Sequence, residues 1–501
     1  MPALYYVKQA WDERGKPRPT FRVHFPMALD ILRFGCYHTD VRRFGDVPGR
    51  DDSIPELKKG IRIMRRSLYL RTAIHLLASP AVLLLVLAGS VSFGQAPRQK
   101  PTFAEYVRDT VPTKEEIDVF LNEISWARFD KDVGYVLGNY MPRDGIDGSS
   151  SIGTIQPNGA RRSFMYKGRP CRINTYGNSF TQCNQVNDGE TWQEYLAGHL
   201  GEPVGNFGMG GFGVYQAYRR MIREEKTDHG AEYVILYIWG DDHIRSLLRC
   251  RYMLTKGWNR GTNRTEGVGK MFHGNFWAHV EMNLKTGRFE EKENLLPTRE
   301  SLYKMTDPDW MCEALADDLA LRMYLFKNNQ IRDIDLDSVK ALSRHLKCPV
   351  DLDGKNLRSS LATLLDDYAF EATKYIVNKA QKFADANGKK LMVIIFDPYR
   401  VTKQLLAGGT RYDQEIVDFL KQEDVNHIDF NLMHVEDFKS FNLSVNDYFK
   451  RYFIGHYSPA GNHFFAYSIK DRIVEWLDPK PAPYEETERK MMRFEGYLQD
   501  Y

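Results

Sequence analysis

Apolar residues recur along this chain with two spacings, and their alternation points to a fold class. Residues 232–239 and 390–396 are nearly continuous apolar runs of strand length, stopping abruptly at Gly240-Asp241-Asp242-His243 and at Asp397-Pro398. Shorter β-leaning runs cover 172–176, 203–206 and 427–430, while helical spacing fills 191–200, 214–225, 357–387, 413–422 and 459–477. Continuous apolar strands alternating with helices predict a parallel sheet buried on both faces, a three-layer αβα arrangement. The rhythm breaks twice. Residues 97–170 read as an N-terminal extension, with a capping-box helix from Thr113 and a Gly/Ser-rich loop over 144–158. Residues 244–354 read as a large insertion holding a hairpin over 276–290, its turn near Thr286-Gly287, and helices over 309–328 and 337–345. Its place after a strand end suggests a lid or substrate-side subdomain. The sheet domain then comprises 171–243 and 355–477, and a polar tail occupies 478–501.

In such a sheet, functional groups gather at the carboxyl ends of the strands. Three strand ends present Ser179 in the turn Gly177-Asn178-Ser179, the Gly210-Gly211 backbone, and Asp241-Asp242-His243. A strand-to-helix turn exposes one hydroxyl and sets unpartnered N–H groups beside it, the surroundings a serine nucleophile needs. Thr191 and Glu194 predict a second capping box. His456 belongs to a loop just ahead of the last helix, where Ser458 is the N-cap and Pro459 the first helical residue. Trp239, Asp242 and His243 are candidate substrate contacts, and the rings of Trp239, Phe212 and Tyr215 are candidates to flank a sugar.

Composition narrows the partners. A chain of 501 residues with 43% hydrophobic residues can bury a large core, and a net charge of +3 without basic blocks interleaved with aromatics gives no case for a nucleic-acid partner. No cofactor fingerprint or metal-ligand spacing is present. Residues 64–96 have the order of a secretory signal peptide: Arg65-Arg66, an apolar core over 72–91, and Gly94 and Ala96 at a cleavage site. That order predicts translation from Met64 and a periplasmic or secreted protein, with residues 1–63 an artefactual or cytoplasmic leader. A signal anchor is the alternative, with membrane association through 72–91, since the run approaches the ~20 residues that span a bilayer. Five cysteines lie beyond the leader; Cys171 and Cys183 bracket the serine turn, where a disulfide or two unpaired core thiols are both open readings.

Over roughly 171–477 the pattern resembles the SGNH (GDSL-type) hydrolase superfamily, in the manner of a divergent member. Gly177-Asn178-Ser179 matches the first block, Asn206 to Gly211 the glycine loop, Trp239-Gly240-Asp241-Asp242 the third, and His456 with the residues to Gly461 the last. The resemblance implies a flavodoxin-like parallel sheet and a serine esterase or deacylase for small-molecule or saccharide esters. In it Ser179 is the nucleophile, His456 the base, and the Ser179 and Gly211 amides the oxyanion donors. An acyltransferase and a non-catalytic binding domain are the alternatives. Three positions depart from the family. Asn178 replaces an aspartate. Asp241 stands where an asparagine donates to the oxyanion, and a lost donor costs on the order of 3 kcal/mol; a protonated Asp241 is one way to restore it. Phe453 occupies the usual position of the triad acid, so either a Ser-His dyad works alone or an acid from another loop, such as Asp397 or Asp447, orients His456.

Overall fold

The computed structural model describes residues 99–123, 126–254 and 274–485. The leader with its apolar run, and the tail beyond 485, lie outside the described residues.

The extension supplies α1 (Phe103–Arg108), α2 (Lys114–Asn122) and an antiparallel hairpin of β1 (Ala127–Asp130) and β2 (Gly134–Leu137). The sheet domain opens with β3 (Ile173–Tyr176) and the one-turn helix α3 (Ser179–Gln182). It continues through α4 (Trp192–Leu200), β4 (Val204–Asn206), α5 (Val214–Glu224), β5 (Tyr233–Trp239) and the short α6 (Asp242–Arg245). In the insertion lie β6 (His279–Asn283), β7 (Arg288–Lys292), α7 (Pro308–Ala314), α8 (Leu319–Lys327) and α9 (Leu336–Leu346). The domain resumes with α10 (Leu357–Ala386), β8 (Lys390–Phe396), α11 (Lys403–Leu406), α12 (Gln414–Gln422) and β9 (His427–Asp429). It ends with α13 (Phe430–Phe438), α14 (Val445–Tyr452) and α15 (Pro459–Trp476).

Five strands form one parallel sheet in the order β4-β3-β5-β8-β9. Counted along the domain this is 2-1-3-4-5, a doubly wound order whose switch point lies between β3 and β5. Successive side chains face opposite sides, and both sides are apolar. Val234, Leu236, Ile238, Val393 and Ile395 pack with α5, α10 and α12, while Ile235, Tyr237, Met392, Ile394 and Phe396 pack with α4 and α15. Helices therefore cover both faces, as the unbroken apolar runs require.

The insertion adds no described strand to this sheet; β6 pairs with β7 alone. Its apolar residues nevertheless join the core on the α10 side, with Leu302, Met311, Leu321 and Leu342 in one cluster with Leu361 and Leu365. Phe103, Phe120 and Tyr135 of the extension belong to the same cluster. Both segments thus share one hydrophobic core with the sheet, and the described part of the insertion is no detached lid.

Candidate active site

Ser179 stands at the end of β3, on the edge of the switch point. The chain must turn tightly there: Gly177 has φ +159°, and a Cβ on it would lie 2.3 Å from Thr181 Oγ1 and 2.8 Å from the Tyr237 carbonyl of the neighbouring strand. Asn178 then caps α3, its Oδ1 accepting from the Phe180 N–H at 2.7 Å, while its Nδ2 donates to the Asp242 carboxylate. An amide at 178 suits this contact where a carboxylate would not. Asp242 is buried, and a second carboxylate at 178 would face it. Burial pushes the Asp242 carboxyl up to about 7 against the charge of Arg245, whose Nη1 lies 3.0 Å away, and the Trp239 N–H also donates to it. Asp242 is thus a brace beneath the nucleophile turn and not a substrate contact. The helix that follows is capped by Thr191, but Glu194 does not close the expected box; its carboxylate accepts from the Met165 N–H instead.

His456, separated from Ser179 by 277 residues, meets it: the Ser179 hydroxyl donates to His456 Nε2 at 2.8 Å. The other ring nitrogen faces Gln185 Oε1 at 3.0 Å, and the same oxygen accepts from the His456 backbone N–H at 2.7 Å. Gln185 Nε2 donates to the Asp144 and Ile454 carbonyls at 2.9 and 3.1 Å. Those carbonyls can only accept, so the amide is held with its oxygen toward the histidine, and His456 carries its proton on Nδ1 with Nε2 free to act as a base. Burial and the nearby charge of Arg245 lower His456 to about 4, leaving it neutral at physiological pH.

Neither expected acid reaches this ring. Asp397 is buried at the end of β8, where it accepts from the Tyr399 and Arg400 N–H groups at 2.9 and 2.8 Å and packs so closely under Gly240 that a Cβ there would lie 1.9 Å from Oδ2. Asp447 is spent on the cap of α14, with Ser444 and Lys450 as partners. Gln185 fills the place, and its left-handed backbone, φ +73°, turns its side chain toward the loop before α15. The turn that carries Gln185 is anchored by Arg161 of the extension. Its buried guanidinium pairs with Asp188 at 2.9 Å and donates to the carbonyls of Gln182, Cys183 and Val186 at 2.8, 2.7 and 2.6 Å.

Among the described residues the Ser179 and Gly211 N–H groups have no backbone acceptor, and a Cβ on Gly210 would lie 3.7 Å from Ser179 Cβ. The Ser179 amide thus lies beside its own hydroxyl, and the loop that carries the Gly211 amide packs against the Ser179 side chain. Asp241, by contrast, is 52% exposed and lies 3.6 Å from Arg245. His243 is a core residue, its Nδ1 on Thr373 Oγ1 at 2.8 Å and its ring against Phe370. Phe212 and Tyr215 are buried as well. Trp239 alone of the three proposed sugar-flanking rings is partly open, between Phe180 and the Arg245 guanidinium. Cys171 and Cys183 are both free thiols; Cys183 donates to Gln193 Oε1 at 3.2 Å. Among the described residues no group of three or more His, Cys, Asp or Glu side chains could hold a metal ion.

No family model matches the chain, and no curated protein sequence matches it.

Proposed function

We propose that this chain is a serine esterase or deacylase of SGNH type, working outside the cytoplasm on acyl esters, with acylated saccharides as the preferred substrate class. The observation that carries the reading is the 2.8 Å bond from Ser179 to a histidine whose proton is fixed on the far nitrogen. The four blocks in chain order, with a nucleophile turn after β3 and a base ahead of the last helix, support the family. The half-open Trp239 ring beside the turn supports a sugar, and residues 64–96 support export.

In the reaction Ser179 Oγ bonds the acyl carbon while its proton passes to His456 Nε2. The oxyanion takes up the Ser179 and Gly211 N–H groups, and the alcohol leaves with the proton held by His456. Water then attacks the acyl-enzyme, His456 taking its proton, and the acid and free serine are regenerated. A hydroxyl acceptor in place of water would make the same site an acyltransferase. A second reading, a binding domain on this scaffold, is favoured by the absence of a carboxylate behind His456 among the described residues and by the pairing of Asp241 with Arg245.

Turnover of an activated acetyl ester decides between them. The wild-type protein should release acetate, with Ser179→Ala and His456→Ala each at least about 10³-fold slower. Turnover unaffected by Ser179→Ala would end the esterase reading, and products formed with and without a sugar hydroxyl separate hydrolysis from transfer.

A further inference from the structure

The Gly211 N–H belongs to a turn with two available forms. The Phe212 N–H donates to the Met209 carbonyl at 3.2 Å and Gly211 has φ +85°, the signature of a type II turn with Gly210 and Gly211 at its centre. A half-rotation of the central peptide converts this turn to type I and exchanges the directions of its C=O and N–H. Glycine at both central positions admits either form, so the choice must come from outside the turn.

Tyr135, on β2 of the extension, makes that choice. Its hydroxyl donates to the Gly210 carbonyl at 2.9 Å. In a planar trans peptide the N–H points opposite to the C=O, so this bond aims the Gly211 N–H away from Tyr135. Tyr135 is fully buried, its ring edge-on to Phe212 at 5.4 Å and stacked on Trp277 at 6.2 Å, which leaves the hydroxyl one position. Arg251, also buried, donates to the next carbonyl, Gly211 O, at 3.0 Å and is hydrogen-bonded to Tyr135. Two adjacent carbonyls of the loop are thus drawn to one side by fixed donors.

We propose that Tyr135 is a positioning residue for acyl transfer at Ser179: its hydroxyl locks the Gly210-Gly211 peptide in the orientation that offers the Gly211 N–H to the oxyanion. The extension is then part of the catalytic machinery and not an appendage. This inference rests on the reading of Ser179 as nucleophile.

The test is Tyr135→Phe, which keeps the ring and removes only the hydroxyl. It should lower kcat for an acetyl ester and the rate of Ser179 phosphonylation by a fluorophosphonate, which proceeds with loss of fluoride, by about 10- to 100-fold. KM and the acid limb of the pH profile, which report the substrate cleft and His456, should stay in place. Unchanged kcat in a folded Tyr135→Phe protein overturns the proposal. A wild-type protein that takes up no phosphonate overturns instead the nucleophile reading beneath it. Should Tyr135→Phe fail to fold, the phosphonylated wild-type protein gives the answer. Its phosphonyl oxygen should sit on the Gly211 N–H with the Gly210 carbonyl still on Tyr135, and an oxygen held elsewhere rejects the role.

Discussion

The proton leaving Ser179 would make His456 a cation, and behind its ring stands Gln185, an amide whose oxygen accepts from Nδ1 but carries no charge. A neutral acceptor fixes the tautomer as a carboxylate would, yet supports the imidazolium by roughly 1–2 kcal/mol less. Gln185→Ala should therefore lower kcat by roughly 10²-fold with little change in KM, since it frees the ring without touching the substrate. The pH profile carries a sharper signature. With His456 lowered to about 4, the neutral base is present above that pH, so kcat/KM should rise through pH 4 and stay level through neutrality. Gln185→Glu should move that limb upward, because a carboxylate favours the protonated ring, and should also lower stability, since the Asp144 and Ile454 carbonyls would lose their donor to an oxygen. An acid limb left at pH 4 in this variant would remove Gln185 from the account. Asp241→Asn provides a contrast. Asp241 pairs with Arg245 at 3.6 Å, so the amide should leave kcat within a few-fold of wild type, and a large change in kcat would put Asp241 at the reacting atoms. Nothing near Gln185 announces it in the sequence. Its role comes from a left-handed turn and a contact spanning 271 residues, while Asp397 and Asp447, the candidate acids from other loops, are consumed by local caps.

At the scale of elements, the strands were legible and their supports were not. The runs at 232–239 and 390–396 are β5 and β8 because a strand apolar on both sides has one place to go. The hairpin β1–β2 was missed: Ala127–Asp130 alternates weakly and is only four residues long. Yet the extension holds the site's outer shell, through Tyr135 on the glycine loop and Arg161 on the turn after α3. Arg161→Ala would leave Asp188 buried without its cation and four carbonyls, of Ile152, Gln182, Cys183 and Val186, without a donor, so a loss on the order of 3–5 kcal/mol in chemical denaturation is expected. A loss below about 1 kcal/mol would show that the turn holds itself. Asn178→Asp tests the brace under the nucleophile. Two facing carboxylates raise each other's pKa in the folded state, so the variant should be near wild-type stability at pH 4 and fall behind as pH rises through 7. A deficit independent of pH would point to lost capping instead.

For the whole molecule, buried histidines set the response to acid. His243 and His434 are lowered to about 3 and His456 to about 4, each chiefly by burial. As pH falls below about 6.5 the unfolded chain takes up these protons first, so the stability they contribute is fully present above 6.5 and lost down to about 3. Asp242, raised to about 7, works the other way, its contribution present at low pH and lost as pH rises through 7, and the smaller burial-driven rises of Asp132, Asp318, Asp397 and Glu415 add to it, but the three large histidine shifts outweigh them. The midpoint of urea unfolding should therefore fall between pH 7 and 4.5, and a constant midpoint would contradict the burial of these rings. If the protein is exported as proposed, intact mass of the native protein should show a chain without residues 1–63, and a retained segment would favour the anchor.

Every role proposed for this site depends on Ser179 being a nucleophile activated by His456. Mass spectrometry of the protein after reaction with a fluorophosphonate tests it most directly. The expected result is one phosphonyl group per chain, on the peptide carrying Ser179, lost in Ser179→Ala and slowed at least about 10²-fold in His456→Ala. An unmodified Ser179, or a label that forms as fast without His456, would contradict it.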